Sequence, residues 1–446
     1  MNPSLAPEGL AALSQKLCDG SLTAEALTRE ALGHIEALEP TLNAFTHVDA
    51  DGALAAARGV DAQRRSGTFL GPLAGLPIAI KDLFTVDGMP TRAGSELDIQ
   101  DLVPPQGRLV TGLLDGGCVP LGKTRTTEFA LGGFNLKEPP PWNPCDLHER
   151  RMTGGSSHGS AVAMAAGLAA FALGSDTGGS VRWPAALCGV VGYKASGTHW
   201  PGDGIFPLSP EMDSPGIFTR SVEDAAFVEA AIAGRTLGVA PPPKALRLAI
   251  PTEHFLDNLE GPVAACFDAA VKRLREAGAT LIELPVPEAA WIDDIFASLV
   301  PADLLAFLGR ERVERGRALL DPVAAARLDG GFKVTRERYA EMLALRRKAE
   351  QLVRERSQDV DAWISPTVPV LPHPIASYRT VADVAAWNRL ATQNTRPGNL
   401  FGQCGVSLPI QHLGAELPVG LQLCAGSGQD AKLLGTARSV EALLAP

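Results

Sequence analysis

Short apolar runs recur along this chain, each four to six residues long and set off by glycine, proline or a polar turn. They are Leu76–Ile80, Cys118–Leu121, Leu246–Pro251, Thr280–Leu284, Ala362–Ser365, Val406–Ile410 and Gly420–Cys424. Such lengths suit strands buried on both faces of a sheet. Helical stretches separate them, among them one opening at Leu109, one over Pro262–Ala277 and a charged one over Arg336–Arg356. Two amphipathic helices over residues 4–40 precede the first run. In the second, Leu27, Ala31, Leu32, Ile35 and Leu38 share a face, and Ser21 or Thr23 is placed to cap its start. Strand and helix thus alternate over the whole length. That pattern predicts an α/β protein, a single large domain over 1–446 with a central twisted mixed β-sheet covered by helices on both faces. The proline runs Pro139–Pro141 and Pro241–Pro243 mark breaks, but neither lies in a long polar linker.

Charge narrows the partners. The net charge is −10 with a pI of about 5.4, so a basic nucleic-acid-binding face is not expected. The cluster Arg346-Arg347-Lys348 reads as the solvated face of its helix. The most apolar stretch, Ala161–Leu173, reads as a core helix, too short to span a bilayer. No basic region followed by an apolar core opens the chain, so neither a secretory signal nor membrane insertion is expected. Seven cysteines without a CxxC pair read as reduced thiols in a cytoplasmic protein. Cys145 and His148 form a lone CxxH with no second pair of ligands, so no metal is expected there.

Two glycine- and serine-rich segments carry the chemistry: Thr153-Gly154-Gly155-Ser156-Ser157-His158-Gly159-Ser160 and Asp176-Thr177-Gly178-Gly179-Ser180-Val181-Arg182. Glycines let backbone amides point at a ligand without a Cβ in the way. Hydroxyls among such amides are candidates for a nucleophile and a proton relay. The loops lack the lysine of a phosphate-binding GxxxxGK[ST], and the eight histidines show no HExxH. Lys81 closes the apolar run Leu76–Ile80, where a lysine is costly unless it is functional or paired with a carboxylate such as Asp82. Burial would lower its pKa and yield an amine able to accept a proton.

In order along the chain, Gly75-Leu76-Pro77-Ile78-Ala79-Ile80-Lys81-Asp82, Gly122-Lys123-Thr124, Gly154-Gly155-Ser156-Ser157 and Asp176-Thr177-Gly178-Gly179-Ser180-Val181-Arg182-Trp183-Pro184-Ala185 resemble the amidase signature family. Ser365-Pro366-Thr367 and Leu417-Pro418-Val419-Gly420-Leu421-Gln422 resemble its late motifs, and the signature core covers about 70–228. The resemblance implies an amidohydrolase with Ser180 as nucleophile, Ser156 as relay on a cis peptide bond and Lys81 as base. It implies an oxyanion hole from the amides of Thr177, Gly178, Gly179 and Ser180, backbone contact with substrate at Ala130, and Ser157, Asp176 and Arg182 standing behind them. No cofactor is implied. The expected partner is a small-molecule amide or carbamate, acted on by a monomer or homodimer.

Departures from the family pattern are His158 after the serine pair, Arg125 after Gly122-Lys123-Thr124, and Tyr193-Lys194-Ala195-Ser196. Two rival readings stay open. Gly155-Ser156-Ser157-His158-Gly159 fits a GxSxG elbow with Ser157 as nucleophile and His412 as base, though an elbow needs a buried strand before it and Cys145–Met152 is polar. A glutamine-hydrolysing component of a tRNA-dependent amidotransferase would share every motif named. Substrate is expected to be walled by residues 196–215 and 290–345. Within them Trp200, Phe206, Met212, Trp291, Ile295 and Phe307 lean towards an apolar or aryl group.

Overall fold

The computed structural model describes residues 5–68 and 70–446. Helix α1 (Leu10–Asp19) and helix α2 (Ala24–Leu42) open the chain. Thr23 rather than Ser21 caps α2, its side chain accepting from the Ala26 amide at 3.1 Å. Leu27, Ala31 and Ile35 lie buried one turn apart, while Leu32 and Leu38 are half-buried beside them. The first expected helix thus starts at Leu10, later than expected: residues 5–9 are described and not helical, and residue 4 lies outside the described residues.

Eleven strands form one sheet: β1 (Phe45–Val48), β2 (Pro77–Lys81), β3 (Val119–Thr124), β4 (Phe171–Asp176), β5 (Val191–Lys194), β6 (Ser214–Thr219), β7 (Arg247–Pro251), β8 (Thr280–Leu284), β9 (Ala362–Pro366), β10 (Cys404–Pro409) and β11 (Gly420–Ala425). Their spatial order is β1-β3-β2-β4-β6-β5-β10-β11-β9-β7-β8. β2 runs parallel to both β3 and β4, and β7 parallel to β8 and β9, while the remaining pairs are antiparallel. The expected mixed α/β sheet flanked by helices on both faces is what the chain forms. Each apolar run read from the sequence overlaps a strand, and most agree with its limits to within one or two residues.

Between the strands lie α3 (Ala50–Arg65), α4 (Arg108–Asp115), α5 (His158–Ala165), α6 (Arg182–Cys188), α7 (Val222–Ile232) and α8 (Gly261–Glu276). A helical insertion between β8 and β9 follows, with α9 (Ile292–Leu308), α10 (Arg310–Arg315), α11 (Pro322–Phe332) and α12 (Arg336–Arg356). Then come α13 (Val381–Ala391), α14 (Arg396–Leu400) and α15 (Asp430–Leu444).

Two expectations need correcting. Ala161–Leu173 is not one core helix. Its first part completes α5, Gly167 turns the chain at a φ of 68°, and the rest enters β4. A fully buried helix and a fully buried strand carry the same unbroken hydrophobicity, so pattern alone could not divide them. Nor is the Arg346–Lys348 cluster uniformly solvated: Arg346 is buried and bridges Glu211 at 3.2 Å and Glu350 at 3.7 Å. Among the described residues no helix is long and apolar enough to cross a membrane.

Candidate active site

Lys81 is the last residue of β2, and Ser175 and Asp176 end its parallel neighbour β4. The carboxyl ends of adjacent parallel strands therefore bring them to one edge of the sheet, the usual place for an active site in such folds. Lys81 is fully buried. Its Nζ donates to Ser156 Oγ at 2.6 Å and to Ser175 Oγ at 2.9 Å. Asp82, the carboxylate considered as its partner, pairs instead with Lys123 at 3.0 Å. Among the described residues Lys81 thus hydrogen-bonds only to hydroxyls. Burial pushes its pKa down to about 7, against the opposing pull of Asp176 and Asp213.

Ser156 precedes α5 and is reached through a cis Gly155–Ser156 peptide bond. Its carbonyl accepts from the Thr127 amide at 3.3 Å, tying this loop to the one after β3. Ser157 is not a nucleophile poised at an elbow. It is fully buried, donates to the Ser175 carbonyl at 3.2 Å and accepts from the Ser175 amide at 3.4 Å. No strand precedes it between Cys145 and Met152, and His412 is bonded to the Leu444 carbonyl at 2.6 Å. The elbow reading fails on both counts.

Asp176 organises the second loop. Its carboxylate accepts from the amides of Gly179 (2.8 Å), Val181 (3.1 Å) and Arg182 (3.4 Å), and from Arg182 Nε at 3.1 Å and Nη2 at 3.0 Å. Burial alone would raise its pKa, but Arg182, Lys194 and Asn399 together hold it well below the usual carboxylate range. Arg182 also donates to Asn399 Oδ1 at 2.7 Å and Gln422 Oε1 at 3.4 Å, which is how the late motifs reach the site. Gly179 has a φ of 119°, and a Cβ there would stand 2.0 Å from Thr395 Oγ1, so only glycine fits.

The Gly179 amide is therefore committed inward. Of the four amides expected to face an oxyanion, those of Thr177, Gly178 and Ser180 make no hydrogen bond among the described residues. Ser180 is half-buried and joined to the first loop by its carbonyl, which accepts from the Ser157 amide at 3.3 Å. Its hydroxyl and that of Ser156 share no hydrogen bond among the described residues.

Ser180, Thr177, Gly178 and Ala130 line one cavity of about 490 Å³, within the range that holds small ligands. Ala130 is buried with a φ of 58°, and both its backbone groups are bonded locally, to the Thr127 carbonyl and the Gly132 amide. The walls differ from expectation. Segment 290–345 does contribute, through Asp293, Phe296, Val300, Val323 and Arg327, and segment 196–215 through Leu208, but Trp200, Phe206, Met212, Trp291, Ile295 and Phe307 stay out of it. Phe206 borders a neighbouring space of about 270 Å³, and Trp200, Met212 and Ile295 are core residues. Helix α13 supplies Asn388 and Arg389 to the wall, which no pattern in the sequence pointed to. Ser175 and Asp213 were likewise unforeseen. Half-buried Asp213 is pushed up to about 6 by desolvation while accepting from the Thr177 hydroxyl (2.5 Å) and the amides of Leu208 (2.9 Å) and Ser209 (3.0 Å).

The three departures resolve without touching the reacting atoms. Arg125 bonds Asn43 Oδ1 at 2.9 Å and pairs with Glu138. Tyr193 and Ser196 both donate to Asp430 at 2.6 Å, anchoring α15 to the sheet. Buried His158 is pushed down to about 3 by desolvation and then by Lys81 and Arg125, so it stays neutral beside the lysine.

A buried amine held by two serine hydroxyls at the carboxyl edge of a mixed sheet, together with the matches that follow, marks a hydrolase of carbon–nitrogen bonds. The family described as Amidase matches residues 26–434, and the chain belongs to it. It is 39% identical to 2-amino-5-chloromuconic acid deaminase of Comamonas testosteroni, over 98% of this chain and 96% of that protein. It is 35% identical to a glutamyl-tRNA(Gln) amidotransferase component of Myxococcus xanthus, over 96% of each. A crystal structure of an amidase superposes with a TM-score of 0.89 at 30% identity, covering 98% of this chain and all of that one.

Proposed function

We propose that the chain hydrolyses a small-molecule amide or carbamate through an acyl-enzyme on Ser180, with Ser156 as relay and Lys81 as base. The observation that carries this is the 2.6 Å contact between Ser156 Oγ and a buried lysine whose pKa lies near 7. An amine uncharged at neutral pH can accept the Ser156 proton, and Ser156 in turn that of Ser180. Ser180 Oγ then attacks the carbonyl carbon, with the free amides of Thr177, Gly178 and Ser180 facing the oxyanion. Ser156 returns its proton to the leaving nitrogen, which departs as ammonia or an amine, and water resolves the ester by the same route. The link between Ser180 and Ser156 would form in the substrate complex. Catalytic contacts commonly tighten only once substrate is bound.

Substrate class draws on the relatives. The deaminase named above acts on 2-amino-5-chloromuconic acid, which supports including amino- and amide-bearing acids in any screen. The amidotransferase relative supports a second reading, in which glutamine is hydrolysed for a partner. Turnover of simple amides by the purified chain alone favours the first. The direct test is labelling with an uncharged fluorophosphonate followed by peptide mass spectrometry. Adduct at Ser180, and its disappearance with turnover in Ser180→Ala, is the expected result; an active Ser180→Ala enzyme refutes the assignment.

A further inference from the structure

Beside Ser180 the cavity holds polar groups that nothing in the fold satisfies. Arg327, on α11, lines it and has no hydrogen-bond or ion-pair partner among the described residues. Asn388, on α13, is only 8% exposed, yet neither its Nδ2 nor its Oδ1 has a partner among them. Such groups are costly to bury unless a ligand completes them. The two converge on one point. A Cβ at Gly132 would stand 3.2 Å from Asn388 Nδ2 and 3.3 Å from Arg327 Nη1, so both groups lie against this glycine and a side chain there would crowd them. Trp183 lines the same cavity and adds a buried indole Nε1 without a partner.

Charge points the same way. Arg327, Arg389 and Arg396 line the cavity against one carboxylate, Asp293, which is already paired with Arg396 at 2.5 Å. A chain with a net charge of −10 thus concentrates positive charge at this one mouth. Burial, with Arg396 nearby, pushes the Arg327 guanidinium down to about 10, and no carboxylate offsets it.

We infer that the substrate is a carboxylate-bearing amide, its acid group held by Arg327 and Asn388 beside Gly132 while its carbonyl carbon faces Ser180. This rests on the acyl-enzyme reading above and names the substrate class for it. A guanidinium with a neighbouring amide donor suits a carboxylate's two oxygens. Hydrolysis of a dicarboxylic acid monoamide would consume one water and release the diacid and ammonia.

The test compares malonamate, succinamate, glutaramate and adipamate with the uncharged amides propionamide to hexanamide. In wild type, kcat/KM for the best monoamide should exceed that of its neutral counterpart by about 100-fold, the size expected for a buried charge-assisted contact. In Arg327→Gln that ratio should collapse towards one, chiefly through KM, and Arg327→Lys should restore part of it. Succinate should protect wild-type Ser180 from the uncharged fluorophosphonate and butyramide should not, a readout that needs no variant to fold. Equal rates on charged and neutral amides, with Ser180 labelled normally, would overturn this inference alone. Failure of Ser180 to label at all would overturn the hydrolase reading and this inference with it.

Discussion

Lys81 and Lys123 sit on neighbouring parallel strands, both fully buried, and end in opposite circumstances. Lys123 Nζ meets the Asp82 carboxylate at 3.0 Å, Thr91 Oγ1 at 2.8 Å and the Pro90 carbonyl at 3.1 Å. Lys81 Nζ meets two serine hydroxyls and no carboxylate. Burial pushes both amines down, but for Lys123 a contacting anion pulls back, while for Lys81 the opposing carboxylates act from a distance. Strand alternation produces the split. Lys123 of β3 stands opposite Ile80 of β2 and so points to the other face from Lys81, and Asp82, in the turn after β2, meets it there. One lysine is thereby tied to a counter-charge, and the other is left in contact with hydroxyls alone, as the proposed base requires.

Breaking the pair of lysines one at a time should give opposite phenotypes. Lys81→Met should lower kcat/KM by about 10³-fold or more, since it removes the proposed base, while circular dichroism and thermal melting stay native-like. If Lys81→Met keeps a tenth of wild-type activity, the two lysines are not functionally distinct. Lys123→Met should act on the fold. It leaves Asp82 buried without its counter-charge, a loss of about 3–5 kcal/mol in breaking a buried pair. Denaturant unfolding reads this directly. Pairing Lys123→Met with Asp82→Asn should recover much of the loss, because the stranded charge goes too. A Lys123→Met protein as stable as wild type would mean that the ion pair contributes nothing.

The same contrast explains what can be read from the chain and what cannot. Lys81, Ser156 and Ser180 are visible because each breaks a local expectation: a cation closing an apolar run, and hydroxyls set among glycines that a plain turn would not need. The strands are visible as short runs bounded by turn residues. Ser175 is not, since inside β4 it reads as one more strand residue, and β4 itself is hidden in an apolar stretch shared with α5. Arg327 and Asn388 belong to different helices, α11 and α13, whose periodicity is ordinary. Their importance lies in lacking partners, and partners are a property of the packed chain. Lys123 and Asp82 form a third kind of case. Both residues stand in recognisable motifs, but which lysine takes the carboxylate depends on strand register, which no single strand encodes.

The subtlest way to sharpen the comparison is through pH. As the proposed base Lys81 would act only when uncharged, and its pKa lies near 7. With decreasing pH, kcat/KM should therefore be level above about pH 7 and fall tenfold per unit below it, whereas a base with an ordinary lysine pKa would be almost silent throughout this range. Asp213 offers the finer adjustment. Its carboxylate is one of two that favour the charged form of Lys81, so Asp213→Asn should let the amine shed its proton more readily and move the acid limb to lower pH. Asn retains an oxygen to accept from the Leu208 and Ser209 amides, and its Nδ2 can donate to the Thr177 hydroxyl that now donates to Asp213. Asp213→Asn should leave the Lys123–Asp82 pair, and hence the denaturation midpoint, almost unmoved. A limb that stays in place or moves to higher pH would mean that Lys81 is not the titrating group, because removing a negative neighbour can only lower the amine's affinity for its proton.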